Sequence, residues 1–194
     1  MNSKKRTRNE GEGVLIADRT EDRYEEILFD RRQIYLTDEI YEVNTMDVIR
    51  KLLILDKQSK DPITLYINSC GGEIGNGMAI IDMIHKIKSP VKTVCVSLCA
   101  SMAAIILMNG EKGFRYSMKS ATIMLHRASW QMDSDYDKHQ AQKLKYCQKE
   151  ATTILKEIAK ITKKKVKTVE TDIESGLWLS ARQAIKYNLI DKIY

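Results

Sequence analysis

The chain alternates between short apolar runs of strand length and longer segments with helical spacing. From Asn44 the apolar positions follow a helix, with Met46, Ile49, Leu52 and Leu53 on one side and Asn44 or Thr45 suited to cap it. Residues 63–67 (ITLYI) read as a strand and 68–77 (NSCGGEIGNG) as a glycine-rich turn. Helical spacing returns through Met78, Ile81, Ile84 and Ile87. The cycle then repeats. Residues 91–96 (VKTVCV) form a strand, and 100–108 (ASMAAIILM) a helix apolar almost all round, which must be buried on every side. Two further strands fall at 114–118 and 121–125. A long amphipathic helix spans about 135–161, a shorter one 166–174 and a last one 180–188, before a strand at 190–194. Pro62 and Pro90 each stand just before a strand, where proline does least harm. Alternating strands and helices predict an α/β fold with a largely parallel sheet, and there is no internal repeat.

Composition narrows the class. A chain of 194 residues favours one domain, over 21–194, behind a polar, mobile arm at 1–20. No apolar run approaches the roughly 20 residues that cross a bilayer, and the first residues carry no apolar signal core. A cytoplasmic protein without membrane association is therefore expected. Cys70, Cys95, Cys99 and Cys147 lack zinc spacing and a C-x-x-C pair, so they read as reduced, mostly buried thiols. The net charge of +6 suggests nucleic acid, but Lys4, Lys5, Arg6 and Arg8 supply four of those charges. The second cluster, Lys163, Lys164, Lys165 and Lys167, runs straight into Glu170, Asp172 and Glu174, and no aromatic residues interleave with either. A solvated helix face explains it better, and no nucleic-acid partner is expected.

Three features carry candidate chemistry. Gly71-Gly72 after a strand is either a tight turn or a bare backbone whose N–H approaches a developing alkoxide. The following Gly75 and Gly77 do not complete a phosphate-binding glycine pattern, and no lysine follows. Ser101, at the head of the apolar helix, is either an N-cap or a nucleophile, with the N–H of Met102 aimed at the same spot. His126 ends an apolar strand, as a structural histidine or as a base at the sheet edge. His85 and His139 read as surface residues.

Together, residues 62–127 resemble the central block of the Clp protease proteolytic subunit family (ClpP). YINSCGG, GMAIID, ASM and IMLHR stand in the family's order, where it has YINSPGG, a GMAIYD-like helix start, ASM and an MIHQP-like strand end. Weaker similarity extends through RYEEILFDRRQIYLTDEI and WLSARQAIKYNLID. The resemblance implies a crotonase-like spiral of βα units, with the long helix in the handle region. It implies Ser101 as nucleophile, His126 as general base, and Gly72 and Met102 as oxyanion-hole donors. It further implies heptameric rings, of one or more kinds of subunit, stacked as a tetradecamer. A hexameric AAA+ unfoldase would feed them unfolded polypeptides. ATP belongs to that partner, and no metal or organic cofactor is expected of this chain.

The sequence departs from the family in four places. Gly176 stands where the family has the triad aspartate, and Leu177 where an arginine joins rings; Asp172, Glu174 and Ser175 are the nearby polar residues. The glycine-rich strand after the histidine becomes RASWQMDSDYD at 127–137, and Cys70 replaces a proline, as a small filler or a redox-sensitive thiol. Two roles follow: an active peptidase subunit, or a weak or silent subunit that modulates an active paralogue. A crotonase-type hydratase is disfavoured because Ser101 with His126 in motif context favours a peptidase, whereas that chemistry would want carboxylates facing the hole. A Ser–Lys dyad is disfavoured because no lysine sits at a matching strand end.

Overall fold

The computed structural model describes residues 23–129 and 138–194, with side chains from 141 onward in the second stretch. The expected arm at 1–20 and the side chain of His139 lie outside the described residues.

Among the described residues, a seven-stranded sheet carries seven helices. After α1 (residues 23–30), the order is β1 (Gln33–Ile40), α2 (Glu42–Gln58), β2 (Ile63–Gly72), α3 (Ile74–Lys86), β3 (Val91–Ala100) and α4 (Met102–Met108). β4 (Arg115–Ser117), β5 (Thr122–Leu125), α5 (Lys138–Thr162), α6 (Val166–Asp172), β6 (Leu177–Ser180), α7 (Ala181–Lys186) and β7 (Lys192–Ile193) complete it. Strands β1-β2-β3-β4-β7 lie side by side and parallel, as the alternating pattern predicts. β3 divides the sheet. Its first half pairs with β4 at Thr93–Cys95, and its second half pairs with β5 at Leu98–Ala100. Among the described residues, β5 and β6 are the only antiparallel neighbours.

Apolar periodicity placed most elements, with three instructive errors. The helix expected from Asn44 begins at Glu42, after Tyr41, and Asn44 Oδ1 accepts the Tyr41 N–H at 3.0 Å. Its buried residues are Thr45, Val48, Leu52 and Leu55, whereas Met46 and Leu53 are exposed. The expected face was therefore rotated. The "turn" at 68–77 is strand as far as Gly72, because β1 continues alongside it to the Ile40–Gly72 pair. β1 and β6 were not recognised by pattern: β1 buries only Ile34, Leu36 and Ile40 of its eight residues, and β6 has four residues.

All seven residues of α4 are buried, as an all-apolar helix requires. The core runs continuously from Ile34 to Ile190. At the far edge a buried bidentate pair joins Arg115 to Asp191 (2.6 and 2.9 Å) and fastens the terminal strand to β4. Burial alone would raise the Asp191 pKa. Hydrogen bonds from the Arg115 side chain and backbone, the charge of Arg115 and the Gly113 N–H outweigh burial and leave it lowered. Cys95, Cys99 and Cys147 are buried free thiols and Cys70 is exposed. Among the described residues, no helix is long and apolar enough to cross a membrane.

Candidate active site

The candidate site forms where β2 and β3 end and turn into helices, and where β5 ends beside them. Ser101 separates β3 from α4 with φ 55° and ψ −125°. These are not the extended angles of a capping residue, and its side chain makes no cap hydrogen bond. Of the two readings of this serine, the cap is the one the structure rejects. A strained strand-to-helix turn at Ser101 instead borders a cleft. The turn is held from below, since the Ser101 N–H donates to Met124 O at 2.8 Å.

Gly71 makes this turn possible. Its φ is +101°, and a Cβ there would lie 2.7 Å from Ser101 Cβ and 2.8 Å from Ala100 O. Gly72 is equally constrained, at φ +152°, with its would-be Cβ 2.3 Å from Ile40 O. β1 therefore lies so close that only glycine fits.

Two backbone amides border the Ser101 turn, those of Gly72 and Met102. The Glu73 N–H is spent on Ile40 O at 2.9 Å, and N–H groups point alternately to the two sides of a strand. Glu73, and not Gly72, therefore donates to the Ile40 carbonyl of β1 at this point. Ladder pairing between β2 and β3 stops at Ser69 and Cys99, short of this point. Met102 is the first residue of α4, and the carbonyl of Ser101 accepts from Ala104 and Ile105 (3.0 and 3.3 Å). A first-turn N–H such as that of Met102 has no acceptor within its helix.

Gly72, Ser101, Met102 and His126 line a single cleft of about 100 Å³, together with Ile74 and Ile154. All four residues singled out from sequence are thus brought together. His126 is half-buried, the first residue after β5, and also borders a second groove of about 360 Å³. That groove is mostly apolar, walled by Ala128, Ala151, Ile154, Leu155 and Ile173. Ile154, a residue of the long helix that sequence reasoning did not single out, lines both. Its signal was present but mute, because an isoleucine on an amphipathic stripe looks the same whether it packs or lines a cleft.

The support behind His126 is different. β5 and β6 run antiparallel in a register ending at Leu125 opposite Leu177, and Gly176 and His126 are the residues next beyond that last pair. Gly176 is therefore in the place where a carboxylate could steady the imidazole, and it has no side chain to do so. Its φ of +88° suits glycine, although a Cβ would meet only Trp178 Nε1, at 3.5 Å.

Neighbouring acids are engaged elsewhere. Asp172 accepts the Tyr187 hydroxyl at 2.7 Å. Burial, then the hydrogen bond and charge of Asp172, raise the Tyr187 pKa above its ordinary value. Glu170 and Glu174 both hold Arg127, at 3.0 and 3.4 Å. Among the described residues no group of acids, histidines and cysteines could hold a metal ion. His85 is exposed on α3, as expected. Lys164, from the basic cluster, lies over the Tyr187 ring at 4.4 Å.

The site occupies one end of a fold whose sequence is matched over residues 17–194 by the model of the Clp protease family. That span takes in the whole sheet, both glycine-bearing strand ends and the long helix, and the chain belongs to the Clp protease family.

Proposed function

We propose that the chain is a serine endopeptidase subunit of an ATP-dependent, chambered Clp-type protease that degrades unfolded proteins fed by an ATPase chaperone. The observation that carries this reading is the single cleft lined by Gly72, Ser101, Met102 and His126, with the serine hydroxyl not used as a cap.

The chemistry follows from the parts. His126 accepts the hydroxyl proton as Ser101 Oγ bonds to the carbonyl carbon of the scissile peptide. The carbonyl oxygen takes the negative charge and accepts hydrogen bonds from the Gly72 and Met102 amides, which need no reorganisation to receive it. His126 then gives its proton to the leaving nitrogen as the C–N bond breaks. Water hydrolyses the remaining ester by the same route, restoring the serine. The apolar groove on the other side of His126 suits hydrophobic side chains, which unfolding exposes.

Members of the family generally form ring oligomers with AAA+ partners, and we assign the same organisation here: heptameric rings, stacked in pairs, in the cytoplasm. The outward apolar residues Val43, Met46, Leu53 and Ile54 of α2 support a subunit contact, since so many on one short helix are uncommon on a free surface. ATP hydrolysis belongs to the partner.

An active-site serine phosphonate tests the reading, applied to the intact chain with the adduct mapped by mass. Labelling at Ser101 is expected, and Ser101→Ala should abolish labelling and lower peptide hydrolysis by about 10²-fold, the part of a triad's effect that remains once its aspartate is gone. Wild-type protein that takes up no label, alone and with any paralogue, would overturn it. One observation favours a second reading, a weak or silent subunit of a mixed ring: the residue that stands with His126 beyond the last β5–β6 pair is Gly176. In that case label would appear on the paralogue alone.

A further inference from the structure

We infer that Arg127 is a positioning residue for His126, tied by Glu170 and Glu174 to a rigid part of the fold. The inference rests on the catalytic reading above and extends it to a device that compensates in part for Gly176.

His126 leaves the sheet at its last paired residue, and residues 126–129 have no regular structure. An imidazole at such a point is aimed by the backbone of its own residue and the next. That next residue is Arg127, whose two Nη atoms meet different carboxylates: Nη2 on Glu170 and Nη1 on Glu174. Because the guanidinium is planar, two acids gripping its two ends fix its orientation as well as its position. The acids are themselves well founded. Glu170 follows Val169, and Glu174 follows Ile173, both of them core residues (0% and 2% exposed). The clamp therefore runs from the hydrophobic core, through α6 and the turn after it, to the residue beside the imidazole.

All three side chains are about half-exposed, so the clamp is screened by salt and its individual pairs are weak. Its effect on catalysis is correspondingly moderate. An exposed pair contributes up to about 1 kcal/mol, which corresponds to about fivefold in rate where it decides the aim of a reacting group.

Saturation kinetics of phosphonate labelling separate aim from binding. With a phosphonate too short to reach the groove that Arg127 also borders, Arg127→Gln and the double variant Glu170→Gln/Glu174→Gln should each lower the maximal labelling rate about fivefold, with the half-saturating concentration unchanged. Combining all three changes should cost no more than Arg127→Gln alone, since they break one unit. Arg127→Lys should recover part of the rate. High salt should slow the wild-type chain to the level of the variants and leave the variants unaffected. Lys60→Gln, which breaks the separate exposed pair with Asp56, should change nothing. Equal wild-type and Arg127→Gln rates would overturn the inference. So would a faster variant, which would mean that Arg127 withholds Glu174 from His126. A readout independent of activity is the NMR line width of the His126 ring, which should narrow in Arg127→Gln as the imidazole gains freedom. Unlabelled wild-type protein defeats the catalytic reading, while an unchanged line width defeats the clamp alone.

Discussion

The two sides of the cleft are built to different standards. On the nucleophile side, every part is over-determined. Gly72 is pressed against β1, Gly71 against Ser101, and the Ser101 turn is held by Met124 and followed by a helix buried on all sides. On the base side, His126 follows the last rung of a four-residue ladder, with a glycine at the same end of β6 and the nearest acids committed to Tyr187 and Arg127. Packing against backbone fixes the first side, and exposed polar contacts fix the second. On the proposed reading, the oxyanion donors would be firmly placed and the base weakly supported, so the rate would be set by one histidine's aim.

The sharpest way to break this asymmetry is Gly176→Asp. Removing the aspartate from a Ser-His-Asp triad costs about 10⁴-fold in turnover, so restoring it at Gly176 has that much to recover. Turnover should rise by at least tenfold and by up to about 10⁴-fold, measured as phosphonate labelling and peptide hydrolysis. The φ of +88° makes the substitution cost about 1–3 kcal/mol in stability, so thermal unfolding should be followed in parallel. A folded variant with unchanged turnover would show that the base side does not limit the reaction.

Next in size is the reverse experiment on the nucleophile side. In Gly72→Ala the new methyl would lie 2.3 Å from Ile40 O, so β1 or the end of β2 must move. The amide beside the serine moves with it, and loss of one oxyanion donor costs about 10²–10³-fold in kcat. Hydrolysis should fall by that factor with KM little changed. A variant as active as wild type would mean that the Gly72 amide takes no part.

The same asymmetry decided what could be read from sequence. A serine heading an all-apolar helix and a histidine at the end of a strand are local signals, and both fell where a local argument put them. The parallel sheet followed from strands and helices in alternation. What escaped was set by tertiary pairing. The end of β2 looked like a loop because glycine weakens strand propensity, but β1 alongside keeps it extended. The buried face of α2 was misplaced because Leu53 and Ile54 point outward although they are as apolar as Leu52 and Leu55. Gly176 was recognised as a missing carboxylate only through the resemblance. That it lies next beyond the same last pair as His126 depends on the register of β5 and β6, which no periodicity reports. Arg127 gripping acids more than forty residues away is equally silent in the sequence.

The smallest expected effect concerns Asp172, four residues before Gly176 and the obvious stand-in for a lost aspartate. Its carboxylate accepts from the Tyr187 hydroxyl, and that bond has a use of its own, holding the end of α6 against the residue that follows α7. Asp172→Ala should leave phosphonate labelling within twofold of wild type and cost about 1–2 kcal/mol of stability, the usual penalty for a partly buried hydroxyl that loses its partner. The pH dependence gives the sign. The Tyr187 pKa is raised in the folded chain, by burial first and then by Asp172, so the unfolded chain loses the tyrosine proton first, near pH 10. The associated stability is complete below that pH and is lost as pH climbs toward the folded value. In Asp172→Ala burial still acts but the acid does not, and chemical denaturation above pH 10 should show a shallower decline than wild type. A large fall in labelling with the alkaline decline unchanged would place Asp172 in the service of His126 and give the base side the carboxylate it otherwise lacks.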